Sequence, residues 1–347
     1  MNKVAVRVMG LVVLAGVVAL MVLFSGKSPS EMRFALVPKS VGHPYWEGVR
    51  EGMEAAAKRL HVKALFHGPP EASVEEQLKI IEDLMTQGYD GIGISPNDPN
   101  AVKEIIKRAM AKGIAIVTFD SDSPDSDRLL YIGTDNREAG RVAGRQMIRL
   151  LGAKKKGEAT EELLVQIIGG QPGAWNLNER TEGFKQAVAG TNIALCDLVY
   201  NYENPDTSLQ AAENAIHAHP KLRGFFCSNA FGGPGAALAI KGAIQRGKLE
   251  PHQIRVVAFD TTDDILNYIE QGIIDCTLAQ QTRRMGALTL EKLLEFANGY
   301  AEVHEFAAPP EGADVVDTGV SVVLPKDVSQ YRAKPAKAPQ AEGATTP

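Results

Sequence analysis

Cysteine is scarce in this sequence, with only Cys196, Cys227 and Cys276 among 347 residues. The three lie far apart, in or beside apolar runs. An odd number of cysteines without paired spacing supports neither a disulfide framework nor a zinc site. We therefore expect all three to be small buried residues.

The signatures of several enzyme classes are missing. No Gly-x-Gly-x-x-Gly follows the first predicted strand, and no Gly-x-Ser-x-Gly elbow occurs. The stretch Gly26-Lys27-Ser28 lacks the upstream glycine of a phosphate-binding loop. His217 and His219 are two positions apart on a predicted helix, so they do not share a face. We expect no catalytic residue, no cofactor and no metal site.

The acidic loop Asp120–Asp127 has no glycine of the kind that a calcium-binding turn requires. We expect this loop to be solvated, with Asp120 alone reaching a ligand. An excess of basic residues is also lacking, and the net charge of −5 argues against a nucleic-acid-binding protein. The hydrophobic content of 44% and the charged content of 23% are typical of a globular chain, here long enough for two domains.

The N-terminus has the arrangement of an export signal, because Lys3 and Arg7 precede the uncharged apolar run Val8–Phe24. As a helix this run would cover roughly 25 Å, which is short for a ~30 Å hydrocarbon core, and it is long for a signal core. Two interpretations stay open for residues 1–30: a cleaved signal peptide, or an N-terminal membrane anchor formed by a transmembrane helix. Both predict export to the periplasm or the outer face of the cytoplasmic membrane, with tethering by residues 8–24 in the second case.

Two apolar, β-branched runs end in the same dipeptide, Phe-Asp. They are Ile114–Asp120 and Ile254–Asp260, and each is typical of a strand buried on both faces. In open α/β folds, ligands bind at the carboxyl edge of the sheet. The pattern predicts two such edges, each with one carboxylate, facing each other across a cleft.

Predicted strands and helices alternate as βαβαβαβ twice, from Phe34 to Phe119 and from Leu163 to Phe259. This order predicts an α/β fold with parallel sheets and right-handed crossovers. The second series includes a strand at Ile193–Tyr200, and a last strand is predicted at Gly319–Leu324. From Ala333 onward no apolar period occurs, which favours disorder.

Seven short motifs, each at a strand end or a helix start, resemble those of the type I periplasmic sugar-binding proteins. These are the ribose-binding group of ABC-importer substrate-binding proteins, with a lactose-repressor-type core. The motifs are His43-Pro44-Tyr45-Trp46, Thr118-Phe119-Asp120, Gly133-Thr134-Asp135-Asn136, Asn178-Glu179-Arg180-Thr181-Glu182-Gly183-Phe184, Phe226-Cys227-Ser228-Asn229, Phe259-Asp260-Thr261-Thr262 and Leu278-Ala279-Gln280-Gln281.

The resemblance implies two Rossmann-like lobes with parallel sheets, joined by a three-crossing hinge. The N-terminal lobe would contain residues 31–133 and 283–313, and the C-terminal lobe residues 134–282 and 314–326. Residues 327–347 would form a disordered tail. The implied function is that of a monomeric binding protein, not an enzyme, which closes around a monosaccharide and delivers it to the permease of an ABC importer.

The resemblance also implies the residues of the ligand site, which combine hydrogen-bonding groups for sugar hydroxyls with aromatic rings for the sugar faces. They are His43, Tyr45, Trp46, Asp120, Asn136, Arg180, Asn229, Asp260 and Gln280. Trp175 is a further candidate, because it stands just before a second-lobe helix.

Each of these residues also has a purely structural interpretation. The two aspartates could cap the turns that follow them. Arg180 could be solvated, Asn229 could be a turn residue, and Gln280 could be a hinge contact. One of the adjacent rings of Tyr45 and Trp46 could belong to the core.

The sequence departs from the ribose-type pattern at three positions. His43 stands where an asparagine is usual, Ser121 where an arginine is usual, and Ala230 where an acid often follows. The first two put ribose itself in doubt as the ligand.

Three other functions are weighed against the importer receptor. An uncleaved anchor would favour a sugar sensor of the same fold that signals to a membrane partner. A transcriptional repressor would need an N-terminal helix-turn-helix where the chain has an apolar segment. An exported hydrolase would use Asp120 and Asp260 as acid and base.

Overall fold

The computed structural model describes residues 27–299 and 314–332. These residues form two compact units. The first unit contains residues 27–134, 173–176, 281–299 and 314–319, and the second unit contains residues 135–172, 177–280 and 320–332. The predicted signal or anchor segment at 8–24 lies outside the described residues. Within the described ranges, no helix is both long enough and apolar enough to cross a bilayer.

The first unit is built on one parallel sheet. Its strands are β1 (Arg33–Val37), β2 (Lys63–Phe66), β3 (Gly91–Ile94), β4 (Ala115–Phe119), β5 (Tyr131–Gly133) and β12 (Val315–Asp317). They lie in the order β12-β5-β4-β3-β1-β2, and every neighbouring pair is parallel. The helices of this unit are α1 (Tyr45–Leu60), α2 (Val74–Thr86), α3 (Lys103–Ala111) and α9 (Thr282–Gly299).

The second unit repeats this architecture with one antiparallel edge strand. Its strands are β6 (Leu163–Gly169), β7 (Ile193–Leu195), β8 (Val199–Tyr200), β9 (Leu222–Cys227), β10 (Arg255–Phe259), β11 (Cys276–Gln280) and β13 (Val320–Val323). The order is β13-β11-β10-β9-β6-β7, β8 also pairs with β6, and only β13 is antiparallel to its neighbour among these pairs. The helices are α4 (Asn136–Leu151), α5 (Trp175–Val188), α6 (Pro205–Ala218), α7 (Gly232–Gln245) and α8 (Asp263–Glu270). Trp175 and Asn176, the first two residues of α5, are grouped with the first unit.

The central strands are buried on both faces, as their apolar runs predict. Every residue of β4 is buried. In the second unit, neighbouring residues of one strand belong to separate hydrophobic clusters: Phe225 and Val256 pack on one face of the sheet, and Phe226 and Val257 on the other. Because the strands between the helices are parallel, their carboxyl ends lie along one edge of each sheet. That edge carries the candidate ligand residues.

Two boundaries differ from the sequence-based prediction near the C-terminus. Residues 314–326 were assigned to the C-terminal lobe, but Val315–Asp317 pairs with β5 and belongs to the first sheet. The tail was predicted to begin at 327, whereas Pro325–Gln330 forms a 3-10 helix. Val328 of that helix is buried, and Arg332 bonds to Asp263 and Glu270. The predicted disorder after Ala333 lies outside the described residues.

The single strand predicted at Ile193–Tyr200 is divided into β7 and β8. Both segments pair with β6, at opposite ends of that strand. The intervening Asp197 accepts a hydrogen bond at its backbone oxygen from Nε2 of Gln166, 2.7 Å away. This side-chain bond occurs where the β ladder is interrupted.

The expectation of a solvated acidic loop was wrong for Asp122. Its side chain is 3% exposed and accepts two hydrogen bonds from Arg128, at 2.5 and 2.7 Å. Thr118 and the backbone N–H of Ser123 also donate to it. Arg128, itself 3% exposed, donates further to the carboxylate of Asp314, at 2.9 Å. The buried ion pair therefore links the loop after β4 to the residue before β12.

We expect Arg128→Met to lower the free energy of unfolding by about 3–5 kcal/mol, because Asp122 would stay buried without its counter-charge. Urea denaturation followed by circular dichroism measures this loss. The exposed pair of Arg108 and Glu82 supplies the matched control, and Arg108→Met should cost less than about 1 kcal/mol. Equal losses for the two variants would contradict the structural role of the Arg128 pair.

Candidate functional site

Strands β4 and β10 each end at a phenylalanine, and the aspartate that follows has a left-handed backbone conformation. Asp120 has a φ of 60° and Asp260 a φ of 71°. The backbone N–H of Asp120 donates to Ile132 of β5 at 3.1 Å, and that of Asp260 donates to Leu278 of β11 at 2.8 Å. Aspartate tolerates this conformation better than most residues, although it still costs about 1–3 kcal/mol. Both carboxylates are thus held at the carboxyl edges of their own sheets.

In the first unit, Asp120 is 3% exposed, and among the described residues its carboxylate is bonded only to hydroxyl groups. The hydroxyl of Tyr45 donates to Oδ1 at 2.6 Å, and that of Ser95 donates to Oδ2 at 3.0 Å. An ionised carboxylate offers about four acceptor positions. About two remain for the hydroxyl protons of a ligand.

The predicted aromatic residues occupy different environments. Trp46 is 6% exposed and belongs to the hydrophobic core, where its ring lies edge-on to that of Phe119 with 6.1 Å between the ring centroids. Tyr45 is half-buried and lies edge-on to Trp46 at 4.9 Å. Trp175, grouped with the first unit, lies edge-on to Tyr131 at 5.8 Å. The ring of Trp46 therefore has a packing role in the core, while Tyr45 holds Asp120.

His43 precedes α1 and is partly buried. Its Nδ1 accepts the backbone N–H of Tyr45 at 3.1 Å. Burial lowers the pKa of the His43 imidazole, because the charged form loses solvation. Protonation of Nδ1 would also remove the acceptor that orients the start of α1.

In the second unit, Arg180 connects the ends of several elements. Its side chain is buried, at 1% exposure, and the guanidinium lies over the ring of Phe259 at 4.1 Å. Nε donates to Oδ1 of Asn136 at 2.9 Å, Nη1 to the backbone oxygen of Ser228 at 3.0 Å, and Nη2 to Oε1 of Gln280 at 2.8 Å. Arg180 is therefore not the solvated charge of the structural alternative.

The amide of Gln280 bridges Arg180 and Asp260. Its Oε1 accepts from Arg180, while its Nε2 donates to Oδ1 of Asp260 at 2.8 Å. The hydroxyl of Thr277 donates to the backbone oxygen of Asp260 at 2.7 Å. Four predicted residues, Asn136, Arg180, Asp260 and Gln280, thus form one hydrogen-bonded cluster.

Glycines set the position of Arg180 by letting α4 and α5 pack backbone against backbone. A Cβ at Gly140 of α4 would lie 2.0 Å from the backbone oxygen of Arg180, and one at Gly183 of α5 would lie 1.9 Å from that of Arg137. Only glycine fits at either position without moving a helix. The Arg-x-x-Gly spacing therefore has a packing reason: it places the guanidinium within reach of Asn136.

Asn229 has nearly all its hydrogen-bonding capacity used within the protein. Its Oδ1 accepts from Asn201 Nδ2 and from the backbone N–H groups of Phe231 and Gly232, at 2.9 to 3.2 Å. Its Nδ2 donates to Oδ1 of Asn201 at 3.0 Å. Within the described ranges one amide hydrogen of Asn229 is unused, so Asn229 can donate to a ligand, but its oxygen has little capacity left.

Sequence reasoning missed Lys39, Ser95 and Asn201. Lys39 and Ser95 follow β1 and β3, and Asn201 follows β8, so each stands at the carboxyl end of a strand. All three are buried, at 5%, 0% and 0% exposure. A search for every polar residue at the last position of a predicted strand, or directly after it, would have found all three.

Comparison with known proteins identifies the family. The sequence matches the periplasmic binding protein domain over residues 34–301. The chain therefore belongs to this family, whose members are binding proteins rather than enzymes.

Similar proteins include receptors for several sugars. The ribose import binding protein of Salmonella typhimurium is 28% identical over 282 residues, which cover 81% of this chain and 90% of the relative. The D-allose-binding periplasmic protein of Escherichia coli is 28% identical over 272 residues, covering 76% and 83%. A solved ABC-transporter solute-binding protein from Burkholderia graminis, in complex with D-arabinose, is 31% identical with a TM-score of 0.79, covering 89% of this chain and 100% of that chain. The predicted family and the predicted type I fold are confirmed.

We expect acid to destabilise the folded protein through His43. Its folded pKa lies below the unfolded value of about 6.5, so the unfolded chain binds more protons as the pH falls through this range. The stability contribution is complete above about pH 6.5 and is lost as the pH falls toward the lowered pKa. Thermal unfolding of wild type and His43→Asn, from about pH 7 to about pH 5, isolates this contribution. An asparagine retains an acceptor for the Tyr45 N–H without titrating, and equal pH slopes would exclude His43 as the cause.

Proposed function

We propose that this protein is an extracytoplasmic solute-binding protein that captures a monosaccharide or a similar polyol and delivers it to the permease of an ABC sugar importer. The ligand would contact the strand-end residues described above and be enclosed by hinge closure, a common mechanism for binding proteins of this kind. We also propose that it acts as an exported monomer. The basic and apolar N-terminal sequence supports the export proposal.

The observation that carries the proposal is the pair of buried strand-end carboxylates, Asp120 and Asp260. Each has left-handed backbone geometry at the carboxyl edge of its own sheet. The left-handed conformation of an aspartate costs conformational free energy, and packing at a strand end does not require it. Binding of a polyol does require acceptors in fixed positions for the hydroxyl protons. An ionised carboxylate has about four acceptor positions, and Tyr45 and Ser95 occupy two of those on Asp120.

The magnitudes support binding of useful strength. A hydrogen bond to a charged group contributes about 1.5–3 kcal/mol, and a few of them reach the roughly −8 kcal/mol of a micromolar complex. Arg180 and Gln280 supply N–H donors near Asp260, and Tyr45 supplies an aromatic edge near Asp120. The named ligands of the relatives, ribose, D-allose and D-arabinose, all belong to the class of molecule that this chemistry suits.

A thermal-shift screen of the full chain against monosaccharides tests the proposal. A sugar present at about 100 times its dissociation constant should stabilise the fold by about 2.7 kcal/mol, which is an easily measured shift. A screen in which no sugar raises the melting temperature would reject the receptor function. The sugars that do raise it identify the hydroxyl pattern.

Single substitutions then test the two carboxylates. We expect Asp120→Asn and Asp260→Asn each to weaken binding of the sugar by about 10-fold to 150-fold, since each loses about 1.5–3 kcal/mol of charge-assisted bonding. Titration calorimetry measures the affinity. Asp125→Asn is the matched control, because that side chain is 81% exposed. Unchanged affinity in both test variants would remove the aspartates from the site.

A further inference from the structure

Lys39 is a buried cation that has no counter-ion among the described residues. It follows β1 and is 5% exposed. Its Nζ donates to Oδ1 of Asn176 at 2.9 Å, and no carboxylate of the described residues lies within 4.0 Å of it. An ammonium group carries three N–H donors, so two are left without an acceptor in the part of the chain that the structure describes. Buried ammonium groups are ordinarily paired with an anion, because the loss of hydration is otherwise uncompensated.

A chain of hydrogen bonds fixes Lys39 relative to Asp120. The backbone oxygen of Lys39 accepts from Nδ2 of Asn97 at 3.0 Å, and the backbone N–H of Asn97 donates to Oε1 of Gln77 at 2.9 Å. Nε2 of Gln77 donates to the backbone oxygen of Ser95 at 2.8 Å, and the hydroxyl of Ser95 donates to Asp120. Lys39 and Asp120 thus belong to one network at the carboxyl edge of the first sheet.

The two charges in this network are held apart. The carboxylate of Asp120 is bonded to the hydroxyls of Tyr45 and Ser95 and forms no ion pair with any residue that the structure describes. Beside it, the hydroxyl of Ser121 is buried, at 0% exposure, and has no hydrogen-bond partner within the described part of the chain. This edge therefore combines a carboxylate that can accept hydroxyl protons with buried donors that lack acceptors.

We propose that Lys39 binds the ligand directly and selects a polyol that carries an acceptor-only oxygen on an oxidised carbon. Hydroxyls of the ligand would donate to Asp120, while a carboxylate or carbonyl oxygen would accept from the ammonium of Lys39. A neutral ring hydroxyl can also accept an N–H from Lys39, but its own proton then needs a second acceptor. It also carries no negative charge to offset that of the ammonium. This inference rests on the proposed sugar-binding function and specifies its substrate class.

Matched ligand pairs test the selection in the wild-type full chain by titration calorimetry. D-galacturonate against D-galactose, and D-glucuronate against D-glucose, vary a carboxylate. D-xylulose against xylitol varies a carbonyl. We expect the oxidised member of at least one pair to bind at least tenfold more tightly, and the pair that responds identifies the carboxylate or the carbonyl as the group that Lys39 contacts.

The variant Lys39→Met tests the residue. It should reduce the affinity for the preferred oxidised ligand at least tenfold while the affinity for its neutral partner changes less than threefold. Lys79→Met is the control, because Lys79 is exposed on α2 of the same unit. If Lys39→Met does not fold, as judged by circular dichroism, the preference of the wild type for oxidised ligands decides the proposal by itself.

Two outcomes overturn the inference without touching the proposed function. One is tight binding of a neutral sugar with no preference for any oxidised partner. The other is an oxidised ligand that binds Lys39→Met and the wild type equally. Failure of every sugar, neutral or oxidised, to bind would instead reject the proposed function and this inference together.

Discussion

The left-handed backbone at Asp120 and Asp260 is the constraint on which the candidate site depends. A strand that simply continued would turn each carboxylate toward a face of its sheet and into the packed helices. The change of φ at the strand end instead keeps the backbone N–H paired with the neighbouring strand, at Ile132 or Leu278, while the chain leaves the sheet. The same local solution in both units explains how similar strand ends place an acid at the carboxyl edge of each sheet.

Much of the fold was predictable because its signals are local. Buried strands such as β4 are apolar at every position but one, and helix starts carry side-chain caps such as Asp135, which accepts the N–H of Glu138. Arg180 could be anticipated only through its family motif. Its burial depends on Asn136, Ser228 and Gln280, which are 44 to 100 positions away.

Long-range compensation explains the misjudged and missed residues. Asp122 was expected in solvent because the acidic loop lacks the glycine of a calcium-binding turn, yet it is buried in an ion pair with Arg128, which also contacts Asp314. The burial of Lys39 was missed for the same reason. A lysine after a strand is usually solvated, and the amide that binds Lys39 is 137 positions away in the chain. Charge burial is decided by partners in space, and a single sequence gives little information about them.

The reciprocal amide pair of Asn201 and Asn229 has a consequence for the loop after β8. Two backbone N–H groups at the start of α7 donate to Oδ1 of Asn229, which fixes the orientation of that side-chain amide. The Asn201 amide is then oriented with its Nδ2 toward Oδ1 of Asn229 and its Oδ1 toward Nδ2 of Asn229. The oxygen of Asn201 then receives the N–H of Glu203, beside Tyr202, in a stretch where both residues have positive φ. The bend with positive φ is thereby connected, through the Asn201–Asn229 pair, to the amino end of a helix that follows it in the chain by about thirty residues.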